Sequence, residues 1–103
     1  MTVPPPLSPD EIRARLAELK GWQGDTTGIS RTFGIEYHAG IRLVVDVAKA
    51  AKEQMHHPDI DIRWDTIRFF ITTHDAGYVT TELDFTLAQT IDHLANTHGA
   101  VSP

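Results

Sequence analysis

The histidines are the residues of this chain whose type and spacing most directly suggest chemistry. The sequence has 103 residues, of which six are histidine and none is cysteine. His56 and His57 are adjacent, and His74 stands at the end of a later apolar segment. Because imidazole titrates near neutral pH, a histidine can donate or accept a proton under ordinary conditions. If the two segments are neighbours in the fold, we expect all three side chains to converge on one cleft.

Three convergent histidines leave two chemistries open. One is metal-free acid–base catalysis, in which one imidazole donates a proton and another accepts one. The other is a three-histidine metal site with an open coordination position. The spacing disfavours a metal, because no two histidines lie four positions apart on one helix and adjacent histidines chelate poorly. A purely structural role for His56 and His57 at a helix end also stays open. Without cysteine there is no disulfide, thiolate metal site or cysteine nucleophile.

The other three histidines are predicted to be solvated surface residues. His38 lies near a predicted helix start, and His93 and His98 lie along and after the last predicted helix. None of them is placed at the candidate cleft.

The hydrophobic pattern predicts seven elements in the order α-β-β-α-β-β-α. This order predicts a two-layer α+β domain, with a four-stranded antiparallel sheet and helices packed on one face. The first helix begins at a capping box from Ser8 to Glu11, and Pro58 stops the second helix. The predicted segments are a helix from 9 to Gly21, a hairpin at 22–35 around a turn at 24–28, a helix at about 38–55, strands at 59–64 and 66–74, and a helix at about 80–97.

The composition of the N-terminus indicates the domain organisation. Residues 1–8, with three consecutive prolines, are expected to form a flexible or extended N-terminal arm, and residues 9–103 a single domain.

The apolar pattern also predicts which side chains are buried. Trp64 alternates with Ile60 and Ile62, so we expect it to pack in the core. The second helix has no recognisable N-cap. Its predicted buried stripe consists of Ile41, Val44, Val45, Ala48, Ala51 and Met55.

The charge balance argues against two classes of partner. Nine Lys and Arg stand against 14 Asp and Glu, a formal net charge of −5. This balance argues against a nucleic-acid binder and against an anionic membrane surface.

No apolar run is long enough for a spanning helix and no signal-peptide pattern is present, so we expect a cytoplasmic protein. The open sheet leaves edges, which favour self-association.

Beyond these physical arguments, several fixed residues resemble the signature of the pterin-4a-carbinolamine dehydratases. The residues that carry the resemblance are the run from Lys52 to Pro58 (KEQMHHP), Trp64, His74 and Asp84, and the similarity extends from Gly21-Trp22 to Leu87-Ala88. The resemblance implies dehydration of a 4a-hydroxytetrahydropterin to the quinonoid dihydropterin, in tetrahydropterin recycling. It implies general acid–base chemistry in which the pterin is the substrate, without a metal or a redox cofactor. It also implies a homodimer or homotetramer.

The resemblance assigns roles by position. His56 and His74 would be the catalytic acid–base pair, and His57 would take part mainly by binding and orienting the pterin. The backbone of Thr72–Thr73 would line the pocket. For Trp22 two interpretations stay open, a pocket wall against the flat ring or a core anchor for the first hairpin.

Other matching positions receive structural interpretations, and three positions depart from the family pattern. Asp84 is expected to cap the last helix, in a capping box with Thr81. Lys52 replaces a usually acidic residue, Met55 stands where Asp or Asn is common, and one extra residue falls near Tyr78.

The alternative function is a non-catalytic dimerisation, regulatory or assembly module of the same fold. The complete histidine set favours the enzyme.

Overall fold

The computed structural model describes residues 3–103 and has the predicted order of elements. The bounds are α1 Pro9–Ala17, β1 Gln23–Asp25, β2 Gly28–Gly34, α2 Tyr37–Gln54, β3 Asp59–Ile62, β4 Thr66–Ile71, a 3₁₀ turn at His74–Ala76, and α3 Glu82–Thr97. The four strands form one antiparallel sheet in the order β1-β2-β4-β3. The predicted α+β fold is therefore confirmed.

One face of the sheet carries the core. Along β4, Ile67, Phe69 and Ile71 are buried while Arg68 between them is exposed, as strand alternation requires. From β2, Ile29 and Phe33 join the same buried cluster, which includes apolar side chains of all three helices. The central pairing, which sets Ile29 opposite Ile71, brings the end of β4 beside the start of β2.

The predicted apolar stripe of α2 is correct for Ala51, which is buried, and for Val44, which packs against the core, and it is wrong for Val45 and Met55. The buried residues are Gly40, Leu43, Val47 and Ala51, whereas Val45 is half exposed and Met55 is 71% exposed. The helix approaches the sheet closely at Gly40, where a Cβ atom would lie 2.8 Å from Cδ1 of Ile67. Because glycine carries no hydrophobic signal, the apolar pattern does not mark this position.

The N-cap of α2 is Glu36, which the sequence did not indicate. Its carboxylate accepts a hydrogen bond from the backbone N–H of Ala39 at 2.8 Å and contacts Nδ1 of His38 at 2.9 Å. These hydrogen bonds, chiefly the one from Ala39, lower the pKa of Glu36 to about 2. Glutamate is a rarer cap than Asp, Ser or Thr, and this explains why the start of α2 was not recognised.

The expectation that Trp64 packs in the core is also wrong. Its side chain is 78% exposed and stacks on Tyr37, with the ring centroids 6.0 Å apart and the planes at 24°. β3 ends at Ile62, so the alternation that includes Trp64 runs past the strand into the turn. Because β3 is an edge strand, even Ile62 is 39% exposed.

The N-terminal arm packs against the domain where it is described. The backbone N–H of Leu7 donates to the carbonyl of Thr80 at 3.0 Å, and Leu7 packs against the core. Ser8 forms the predicted capping box with Glu11. Residues 1 and 2 of the predicted arm lie outside the described residues. Within residues 3–103, none of the helices combines the length and the apolar character needed to cross a membrane.

Candidate active site

A cleft of about 400 Å³ opens where the C-terminal end of α2 meets the segment after β4. His56, His57 and His74 all line it, as the sequence predicts for the three side chains. The remaining lining residues are Val3, Gln54, Met55, Thr72, Thr73, Asp75 and Leu83. The structure thus brings together residues from the arm, from the end of α2, from the segment after β4 and from the first turn of α3.

The end of α2 determines how the adjacent histidines diverge. Met55 adopts a left-handed conformation with φ 52° and ψ 40°, which ends the helix. The backbone N–H of His56 then donates to the carbonyl of Ala51 at 3.0 Å. This reversal leaves the His56 side chain buried at 7% exposure, while His57 remains exposed at the cleft.

Asp84 anchors His56 from beneath the cleft. Nε2 of His56 lies 2.5 Å from Oδ1 of Asp84, whose side chain is fully buried. The other carboxylate oxygen, Oδ2, accepts hydrogen bonds from the backbone N–H of Thr81 at 2.8 Å and from the hydroxyl of Thr73 at 3.0 Å. With Thr81 as N-cap, Asp84 completes the capping box of α3. The capping prediction is therefore confirmed, and the second contact, to His56, is new.

Thr72 and Thr73 are both buried in the cleft wall, but their hydroxyl groups differ in whether they have hydrogen-bond partners. The hydroxyl of Thr73 is engaged by Asp84 and lies 2.7 Å from the hydroxyl of Thr81. The hydroxyl of Thr72 has no hydrogen-bond partner among residues 3–103. A buried hydroxyl without a partner is costly, so Thr72 is a candidate contact for a bound ligand.

His74 occupies a more open position than His56. β4 ends at Ile71, so His74 lies beyond the strand and begins the 3₁₀ turn. Its side chain makes no hydrogen bond with the residues described, and its ring faces that of Tyr78 at 4.9 Å between centroids. An antiparallel bridge between Thr73 and Val79 closes this loop.

Trp22 does not line the cleft and lies in the core at 5% exposure. Its Nε1 donates to Oδ1 of Asp92 at 2.8 Å, and Nη1 of Arg31 donates to the same oxygen at 2.9 Å. Burial raises the pKa of Asp92, and the hydrogen bonds from Trp22 and Arg31 oppose that increase. Of the two interpretations left open, the structure corresponds to the core anchor.

The three other histidines lie away from the cleft. His38 and His93 are exposed as predicted. His98 departs from the prediction, because its side chain is only 17% exposed and Nε2 lies 2.7 Å from Oδ2 of Asp46. This pair joins the C-terminal end of α3 to the middle of α2, a long-range contact that sequence spacing does not reveal.

The histidines of the cleft are also side chains of a type that can bind a metal ion. Within residues 3–103, no group of three His, Cys, Asp or Glu side chains is arranged to hold a metal ion.

Of the positions that depart from the family pattern, only Met55 lies at the cleft. Lys52 is exposed and does not line it, whereas Met55 contributes an apolar side chain to its mouth.

Comparison with known proteins is consistent with this fold and this set of side chains. Residues 5–94 match the sequence profile of the family described as pterin 4 alpha carbinolamine dehydratase. A protein of Streptomyces avermitilis named "Putative pterin-4-alpha-carbinolamine dehydratase" is 43% identical over 96 residues, covering 92% of this chain and 95% of the relative. One of the same name from Nocardia farcinica is 47% identical over 90 residues, covering 86% and 94%. The chain therefore belongs to the pterin-4a-carbinolamine dehydratase family.

Solved structures show the same fold. A protein of Brucella melitensis described as a transcriptional coactivator/pterin dehydratase superposes with a TM-score of 0.80 at 25% identity, covering 86% of this chain and 97% of that one. A pterin dehydratase-like protein described as a RuBisCO assembly factor of the alpha-carboxysome superposes with a TM-score of 0.58 at 20% identity, covering 72% and 86%. The second comparison supports the fold alone.

Proposed function

We propose that this protein dehydrates a 4a-hydroxytetrahydropterin to the quinonoid dihydropterin by histidine acid–base catalysis. The observation that carries the proposal is the cleft in which Asp84 holds His56 beside His57 and His74. Family membership supports the same substrate class. In the cell the reaction would recycle tetrahydropterin, and the cytoplasm is its proposed location.

The reaction requires two proton transfers and no redox step. The bond between C4a and the hydroxyl oxygen breaks once that oxygen is protonated, and water leaves. The proton on N5 is removed, and its bonding pair completes the C4a=N5 double bond. A general acid and a general base of suitable pKa accelerate such steps by about 10²–10⁴-fold. We assign these roles to His56 and His74 as a pair.

The surroundings of His56 suit a positioned proton carrier. The contact between Nε2 and Asp84 fixes the tautomer and the ring orientation, as a carboxylate partner does in other histidine sites. Nδ1 is then the ring nitrogen left to exchange a proton with a ligand. His57 is exposed at the cleft, where we propose that it binds the pterin, and the unpartnered hydroxyl of Thr72 is available to a polar edge of the ring.

A dehydration assay tests the proposal. With enzymatically generated 4a-hydroxytetrahydropterin, we expect turnover above the uncatalysed reaction, and losses of about 10²–10⁴-fold in His56→Ala and in His74→Ala. The exposed His93→Ala variant on α3 is the matched control and retains activity. We also expect activity to survive a metal chelator. A wild-type rate equal to the blank would overturn the enzyme proposal.

The second candidate is a non-catalytic dimerisation, regulatory or assembly module. It is favoured by the description of the Brucella melitensis structure as a coactivator as well as a dehydratase. It also agrees with the exposed aromatic pair of Tyr37 and Trp64 beside the edge strand. Rate measurement separates the two candidates, because a pure module has no turnover.

We further propose that the chain forms a homodimer or homotetramer. The surface next to β3 exposes three large apolar side chains, those of Tyr37, Ile62 and Trp64, which we call the β3 patch. Edge strands are frequent sites of association, and apolar side chains there favour burial by a second copy.

A further inference from the structure

The loop that follows β4 contains an unusual backbone conformation at a large residue. Tyr78 has φ 63°, directly after Gly77 with φ 91°. Left-handed conformations are strained for residues with a Cβ atom and are rare for bulky ones. Hydrogen bonds fix the conformation, because the backbone N–H of Tyr78 donates to the carbonyl of Thr73 at 3.0 Å, as does that of Ala76 at 3.2 Å.

Burial of the tyrosine ring does not explain the strain. The Tyr78 side chain is 65% exposed, so the hydrophobic gain from its position is small. Its one ring partner among residues 3–103 is His74, with centroids 4.9 Å apart and planes tilted by 37°. Tyr78 does not line the cleft, and therefore it contacts the imidazole from outside.

His74 lacks the anchoring that His56 has. The side chain of His56 is buried and bonded to Asp84, whereas His74 is exposed and makes no side-chain hydrogen bond within the described part of the chain. An exposed side chain without a partner exchanges between rotamers on a fast timescale. A proton carrier is effective only while it points at the reacting atom.

We propose that Tyr78 is a positioning residue whose ring holds the imidazole of His74 at the rim of the cleft. The inference rests on the proposed dehydratase function for its effect on rate, but the contact itself can be tested without turnover. Strained backbone at a functional site is a known way in which proteins hold a side chain for function. Here the left-handed Tyr78 turns its ring back over His74.

Two substitutions at one position separate positioning from folding. Tyr78→Gly suits a left-handed backbone but removes the ring, and Tyr78→Phe keeps the ring. We expect Tyr78→Gly to lower kcat/KM by about tenfold, without lowering the thermal unfolding midpoint, and Tyr78→Phe to remain within about twofold of wild type. A merely structural residue would lose activity and stability together, and that result would overturn the proposal.

The imidazole proton signals of His74 test the contact independently of catalysis. In wild type and Tyr78→Phe, the neighbouring ring displaces these signals by its ring current, and the displacement disappears in Tyr78→Gly. A His74→Gln sample identifies the signals. Signals unchanged in Tyr78→Gly would overturn the positioning role even if the enzyme is active. An inactive wild type with the expected signals would instead overturn the proposed function and keep the contact.

Discussion

Thr72 presents a hydroxyl group that is buried in the cleft wall and has no partner within residues 3–103. Its neighbour Thr73 has two partners, Thr81 and Asp84, so two adjacent buried threonines differ in their hydrogen bonding. The Thr73 hydroxyl belongs to the network that fixes His56. The Thr72 hydroxyl has no such partner in the described part of the chain and is the proposed contact for a ligand.

Replacement of this hydroxyl should change stability and binding in opposite directions. Because an unsatisfied buried hydroxyl costs about 1–3 kcal/mol, we expect Thr72→Val to raise the free energy of unfolding by about 1 kcal/mol. If the proposed contact exists, the same change removes a hydrogen bond to the pterin, so KM should rise by about threefold to tenfold. Urea unfolding and steady-state kinetics measure the two effects. Thr72→Ser keeps the hydroxyl and serves as the control; an unchanged KM in Thr72→Val would contradict the ligand contact.

For individual residues, the sequence predicted that three histidines share one cleft, but it did not predict the contact that holds His56 in place. His56 follows the end of α2, which Pro58 indicates, and His74 follows the end of β4, which the loop after it indicates. Both side chains line the cleft. The bond from His56 to Asp84 joins residues 28 positions apart. It depends on how the first turn of α3 packs beneath the end of α2, and no local pattern encodes that packing.

Among the elements, α2 shows where hydrophobic periodicity misleads. The predicted stripe left out Leu43 and Val47, which are buried. The close approach at Gly40 and the acidic cap Glu36 carry no hydrophobic signal that would have corrected it. The capping boxes of α1 and α3 use Ser8 and Thr81, which are common caps, and both were predicted correctly.

The cap of α2 predicts a specific dependence of stability on pH. The pKa of Glu36 is lowered to about 2 in the folded chain, mainly by the N–H of Ala39. A carboxylate with a lowered folded pKa contributes stability above its unfolded pKa, and this contribution is lost as pH falls from about 4.5 to about 2. We therefore expect Glu36→Gln to be less stable than wild type at pH 6.5, with the difference shrinking towards pH 2.5.

The difference between the two proteins isolates Glu36, because other carboxyl groups with lowered pKa values, such as Asp25 and Asp61, are present in both. Urea unfolding across this pH range measures the effect. A difference independent of pH would contradict the role of the charged cap.

On the scale of the whole molecule, element order was predictable and strand order was not. Turn residues and alternation define the strands locally, and therefore the α-β-β-α-β-β-α order follows from the sequence. The pairing of β2 with β4 links residues such as Ile29 and Ile71, far apart in the chain. It follows from how the two hairpins share one core, which local periodicity does not specify.

The β3 patch predicts self-association of the whole chain. Burying Trp64 would remove a large exposed aromatic surface from water, so Trp64→Lys should lower the mass of the assembly measured by sedimentation. Trp22 is buried and Trp64 exposed, so dilution of the wild type should shift tryptophan emission to longer wavelength as Trp64 is uncovered. Val45→Lys places the same charge on the exposed side of α2 and tests whether the helix layer takes part in the association. An unchanged mass in Trp64→Lys would contradict association through the patch.

Asp84 has a further consequence for how related sequences are interpreted. Its carboxylate completes the capping box of α3 as well as bonding to His56, so the side chain would stabilise a relative that has no catalytic activity. An aspartate at this position is therefore weak evidence that a relative is an enzyme. His57 and His74 make no side-chain hydrogen bonds within residues 3–103, and folding gives little reason to retain them. In a relative, the absence of His57 and His74 would therefore be the more informative sign that the site has no catalytic activity.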